Sequence, residues 1–159
     1  MPESRSTEPL VWIDCEMTGL DTSKDSIMSL ACFITDFELN VLDENGYEAV
    51  IHHSQEQMDA MGDWCKDHHG ASGLTQACLS SSMTAEQAAE ELLQYVQKYL
   101  HHRILDVSAI KEAARRWAPE DVLKRSPQKA GKHEARADIL ESIEEARYYR
   151  TMFFTGPSA

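Results

Sequence analysis

Apolar and β-branched runs fill the first third of this chain, and helically spaced apolar residues fill the rest. Leu10 to Cys15 is the first run and predicts a strand. Ile27 to Thr35 (Ile-Met-Ser-Leu-Ala-Cys-Phe-Ile-Thr) is longer and predicts a central strand. Asp36 to Leu39 turns the chain towards Val41-Leu42, and Asn45-Gly46 is a further turn signal. Tyr47 to His53 predicts a third strand, so this part reads as an antiparallel meander.

From Ser54 the spacing changes. Met58, Met61 and Trp64-Cys65 recur at helical intervals, and His68-His69-Gly70-Ala71-Ser72-Gly73 reads as a glycine-rich loop after them. Thr84-x-x-Gln87 is a capping box, in which each side chain satisfies a free backbone N–H of the other residue. It opens an amphipathic helix whose stripe is Ala85, Ala88, Ala89, Leu92, Leu93, Val96 and Tyr99. Ile104 to Val107 predicts a short strand, Ser108 to about Trp117 a helix, and Asp121 to Lys132 a basic loop containing proline. A last helix starts near Ala135, sets Ile139, Ile143 and Ala146 on one face, and ends in Phe153-Phe154. This order predicts an α/β or α+β domain, with the strand of Asp14 and Glu16 central and other acids brought to it by helices.

Composition narrows the functional classes. The chain has 159 residues, enough for one domain with a core. A formal charge of −12 argues against a non-specific binder of long nucleic acid, which needs a basic surface. A small phosphate ligand held by a metal and a few local cations stays compatible with that charge. Cys15, Cys32, Cys65 and Cys78 show no C-x-x-C spacing and read as buried or incidental thiols in a reducing compartment. No apolar run approaches the ~18 residues of a membrane span. Met1 to Pro9 is neither a secretory signal nor a good transit peptide, so the expected location is cytoplasmic, or mitochondrial for a form with a longer N-terminus.

Chemistry enters at Asp14-Cys15-Glu16. Alternate side chains of a strand share a face, so the two carboxylates lie side by side and repel unless a cation sits between them. Hard oxygen ligands suit Mg²⁺ or Mn²⁺; a solvated strand end is the plainer alternative. Further on, His133-Glu134-Ala135-Arg136-Ala137-Asp138 sets a histidine in a loop and an acid in the first turn of a helix. An acid there is also common for dipole reasons alone. Taken with Asp14 and Glu16, however, the set suits divalent ions that hold a phosphodiester, with a histidine that accepts a proton from water.

On these residues the chain resembles the oligoribonuclease family, 3′-to-5′ exoribonucleases of the DEDDh group that split very short oligonucleotides. The resemblance spans about Leu10 to Tyr149. It is carried by Trp-Ile-Asp-Cys-Glu-Met-Thr-Gly-Leu (12–20), Trp-Cys-Lys-Asp-His-His-Gly-Ala-Ser-Gly-Leu (64–74), Arg-Ile-Leu-Asp-Val-Ser (103–108) and Asp-Ile-Leu-Glu-Ser-Ile-Glu-Glu-Ala-Arg-Tyr-Tyr (138–149). It implies a ribonuclease H-like mixed sheet flanked by helices, in a domain over 10–153 between short tails at 1–9 and 154–159. Asp14, Glu16 and Asp138 match metal carboxylates for two Mg²⁺ or Mn²⁺ ions, and His133 matches the general base. Leu20 matches an apolar wedge between the substrate's two bases, and Trp64 and His69 match residues lining the pocket. Stacking accepts any base, which selects length without selecting sequence. Taken alone, Trp64 reads as a core residue on a helix face. Arg103 and Ser108 match positions that grip the 5′-phosphate across a homodimer interface, a task suited to an arginine fork. The implied function is degradation of short oligoribonucleotides, dinucleotides especially, to mononucleotides by two-metal-ion hydrolysis.

One part of the family pattern has no counterpart. Relatives carry a fourth acid within a block containing a strand with Gly-Asn-Ser, an Asp and a following helix. Here Tyr95 to Tyr99 runs straight into Leu100-His101-His102-Arg103, and Gly-Asn-Ser occurs nowhere. A block of roughly thirty residues, one strand-plus-helix unit, is therefore expected to be missing near 99–100. Asp106 has its own family counterpart outside the metal site and Glu141 lies a turn beyond Asp138, so neither replaces the lost acid. His102 also stands where relatives usually have Tyr, and Ala137 where they often have a second acid. The expectation is an exoribonuclease impaired by the loss of one metal-binding Asp. The alternative is an inactive shortened form that binds nucleotides or serves as a dimer partner.

Overall fold

The three predicted strands are present as one antiparallel sheet in the order β1 (Leu10–Met17), β2 (Ile27–Thr35), β3 (Tyr47–Val50). The structure is a computed structural model that describes residues 8–97, 99, 105–128 and 133–154. β2 is the central strand, as its long apolar sequence predicts: Met28 and every residue from Leu30 to Thr35 are buried. β1 is not central. Among the described residues it pairs with β2 alone, which corrects the expectation for the strand of Asp14 and Glu16. The remaining strand candidate, Ile104–Val107, supplies no second neighbour where it is described. Asp106 instead caps α5 (Val107–Trp117), its carboxylate accepting the Ser108 N–H at 2.9 Å, and Ile104 lies outside the described residues. The Asn45-Gly46 turn is where the sequence sets it. Gly46 has φ +64°, and a Cβ there would sit 2.8 Å from the Cys32 carbonyl.

The described residues fall into two compact units, Met1–Leu100 with Gly131–Ile139, and His101–Ala130 with Leu140–Ala159. In the first, α1 (Gln55–Ala60) begins at a Ser54–Gln57 capping box, as the change in spacing at Ser54 predicts. The helix expected through Trp64 is broken, however: the chain turns extended at Met61 and restarts from Gly62 as α2 (Asp63–Ala71). The predicted glycine-rich loop at His68–Gly73 is mostly helix as well. It forms the end of α2, and Gly73 at φ +83° opens α3 (Leu74–Ser80). Burial of His69 and Cys78 on these helices outweighs the helix cost of Gly70, about 1 kcal/mol. Met28, Met58, Met61 and Cys78 form one core cluster. A second joins Leu30, Ala49 and Ile51 to Ala88 of α4 (Ala85–Val96), which starts at the predicted Thr84–Gln87 box.

The second unit holds α5, α6 (Glu120–Lys124), most of α7 (Ala135–Tyr149) and a π-helical stretch at Arg150–Phe154. α6 stands in the segment predicted as a basic loop, with Lys124–Glu120 and Arg125–Asp121 pairs along it at i,i+4 spacing. Lys129 to Lys132 lie outside the described residues. Lys111 pairs with the buried Glu145 at 2.8 Å, and Ile143 and Ala146 are buried as predicted. No helix among the described residues is long and apolar enough to cross a membrane.

Candidate active site

Asp14 and Glu16 stand opposite Ala31 and Ser29 of β2, and so share the sheet face turned away from the Cys15, Leu30, Ala49 and Ala88 cluster. Asp138 comes to them from the first turn of α7, where its N–H donates to the Glu134 carbonyl at 2.9 Å. One oxygen from each of Asp14, Glu16 and Asp138 lies within 4.8 Å of the others, and all three residues are half-buried. Burial, then the charges of Asp14 and Asp138, push the Glu16 carboxyl up to about 7. Crowded hard oxygens of this kind fit a divalent cation, whose charge removes the repulsion. Burial, and next Asp14 and Glu16, also push the Cys15 thiol above its ordinary value, so it stays protonated at neutral pH and is no nucleophile. All four cysteines are free.

His133 is half-buried at φ +53°, and its ring meets Trp64 and His68 edge-on, each at 5.3 Å. Trp64 is 54% exposed and stacks on His68 at 3.9 Å, so it is an open aromatic surface and not the core residue that its helix spacing alone suggests. His69 is buried; its Nε2 donates to the Met17 carbonyl at 3.0 Å, which ties α2 to the end of β1 next to Glu16. A pocket of about 280 Å³ beside the acids is lined by Glu16, Ser29, His133 and Arg136, among others.

Leu20 is 89% exposed on the loop after β1. Asp25 organises that loop: it accepts from Thr18 Oγ1 at 3.0 Å and from the Asp21 N–H at 2.9 Å. A Cβ on Gly19 would lie 2.3 Å from the Asp25 carboxylate, so a larger residue here would displace Asp25. Sequence reasoning missed His68 and Asp25. His68 was legible only if α2 continued past Lys66, since its Nδ1 donates to the Trp64 carbonyl one turn back; Asp25 left no local signal. Ser108 is exposed at the start of α5 in the second unit. Arg103 and His102 lie outside the described residues.

Comparison with known proteins gives the family. A family model described as Exonuclease matches residues 11–99. The chain is 43% identical over 175 residues to "Oligoribonuclease, mitochondrial" of Bos taurus, covering 91% of this chain and 73% of the relative. It is 38% identical over 180 residues to "Oligoribonuclease" of Chromobacterium violaceum, covering 94% and 98%. "Probable oligoribonuclease" of Schizosaccharomyces pombe matches at 38% over 183 residues, covering 96% and 71%. The 175 aligned positions with the bovine relative exceed the 159 residues of this chain although only 91% of it is aligned. That relative therefore has residues within the matched region that this chain lacks. Identity at this level over nearly the whole chain, on an α/β fold of the ribonuclease H-like class, shows that the chain belongs to the oligoribonuclease family of exonucleases.

Proposed function

We propose that this chain is a metal-dependent 3′-5′ exoribonuclease of short oligoribonucleotides, dinucleotides above all, working more slowly than its relatives. The convergence of Asp14, Glu16 and Asp138 within 4.8 Å carries this reading. These acids would hold Mg²⁺ or Mn²⁺, which supplies charge neutralisation and an activated water to phosphodiester hydrolysis. His133, lining the same pocket as Glu16, takes the proton of the attacking water. The open face of Trp64 stacks a base, His69 backs it from α2, and Leu20 wedges between the two bases. Arg103 and Ser108 grip the 5′-phosphate across a homodimer. The names of the relatives support short RNA as the substrate, and that of the bovine relative a mitochondrial location.

The lower rate follows from the fourth acid. The alignment that is longer than the chain supports a missing block; set near 99–100, where the family pattern breaks off, it removes the acid that helps hold a second ion. Purified protein given Mn²⁺ or Mg²⁺ and a 5′-phosphorylated diribonucleotide should release mononucleotides slowly, and a chelator should stop it. No release in the presence of bound Mn²⁺ would refute catalysis. The three-acid set also favours a second reading, a non-catalytic subunit that pairs with a complete protomer. Mixing this chain with a complete relative should then change that enzyme's activity or oligomeric state; no change in either removes the second reading.

A further inference from the structure

His133 and Asp138 reach the acids of β1 from a short segment outside the sheet, and Arg136 lies between them. Arg136 Nη1 donates to the Asn45 carbonyl at 2.6 Å and Nη2 to the Glu44 carbonyl at 2.9 Å. Its guanidinium also pairs with Glu48 at 3.3 Å and lies 4.8 Å over the ring of the fully buried Phe33. The turn that receives it is itself braced. Gly46 N–H donates to the Asp43 carbonyl at 3.2 Å and Asn45 N–H to the Asp43 carboxylate at 3.1 Å, which leaves the carbonyls of Glu44 and Asn45 for the guanidinium. Phe33 is two residues along β2 from Ala31, the residue opposite Asp14. The tether therefore ends on the strand that positions the first acid.

We infer that Arg136 is a positioning residue of the carboxylate centre, fixing the start of α7 on the β2–β3 turn so that His133 and Asp138 meet Asp14 and Glu16. This rests on the reading of that centre as a metal site. Arg136 and Asp138 are two residues apart, roughly 200° around a helix, so the helix end is held on one side while the acid projects from the other. Arginine suits the task because its planar fork serves two carbonyls at once and stacks on a ring; lysine offers a point charge without the stacking.

The test compares the full chain with R136M, R136K and, as a control, R116M, which removes a pair within α5. Mn²⁺ affinity is read from the spin-resonance signal of the free ion, and amide exchange from mass spectrometry of the peptide covering 133–139. R136M should lower Mn²⁺ affinity by about tenfold, the lower end for residues that orient metal ligands, and speed exchange across 133–139 while melting cooperatively. R136K should recover part of both losses, and R116M should match the wild type. Wild-type Mn²⁺ affinity in R136M overturns the inference, whatever the exchange shows. If R136M loses its cooperative melt, R136K carries the comparison, and wild-type values of both readouts there overturn the inference. A wild-type chain that binds no Mn²⁺ refutes the metal reading of the acids; unchanged exchange in R136M then refutes the tether separately.

Discussion

At Glu16, a raised carboxyl makes the site's electrostatics measurable without any substrate. Between its ordinary value of 4.5 and about 7 the folded chain keeps a proton that the unfolded chain has released. Stability therefore falls as pH rises through that window and levels off above it. The melting temperature of the metal-free protein should decline from about pH 5 to about pH 7, and Glu16→Gln should flatten the decline. An unchanged slope in that variant would assign the titration to another group. Metal binding below neutrality should release the Glu16 proton, seen in calorimetry as a heat that depends on the buffer. Trp64 allows a second test at this scale. Because it is 54% exposed, Trp64→Ala should cost the fold less than ~1 kcal/mol, yet raise KM for a diribonucleotide about tenfold through lost stacking. The spacing of Asp14 and Glu16 was legible because strand alternation is local. His68, Asp25 and Arg136 were not, because their partners depend on how a loop or helix closes onto residues distant along the chain.

Among the elements, the parts with local causes were readable and the parts set by long-range packing were not. The helix start at Ser54, the Thr84 capping box and the glycine turn at Gly46 stand where sequence chemistry puts them. Thr84→Ala should cost about 1 kcal/mol in denaturant unfolding, by removing the bond to the Gln87 N–H. Gly46→Ala should cost more than about 1 kcal/mol, because the left-handed backbone and the Cys32 carbonyl both resist a Cβ. His68–Gly73 and Asp121–Lys132 looked like loops by their glycine and polar content. Helical burial of His69 and Cys78, and ion pairs along α6, decided otherwise where they are described. In the second unit, Lys111→Met should destabilise by about 3 kcal/mol, because the Glu145 charge stays buried after its partner has gone.

For the molecule as a whole, a net charge of −12 and a cluster of three acids suit a small phosphodiester held through a divalent ion better than long nucleic acid held by basic side chains. Family membership was legible in four short segments spread over the chain. The edge position of β1 among the described residues was not, since the partner of a strand cannot be read from the strand itself. The most direct test is the initial rate of mononucleotide release from a 5′-phosphorylated diribonucleotide at saturating Mn²⁺, for the wild type, His133→Ala and a complete relative side by side. A family enzyme short of one metal-binding acid should show a measurable wild-type rate well below that of the relative, and a further fall of about a hundredfold or more in His133→Ala. Equal rates for the wild type and His133→Ala, or a wild-type rate matching the relative's, would rule out that enzyme.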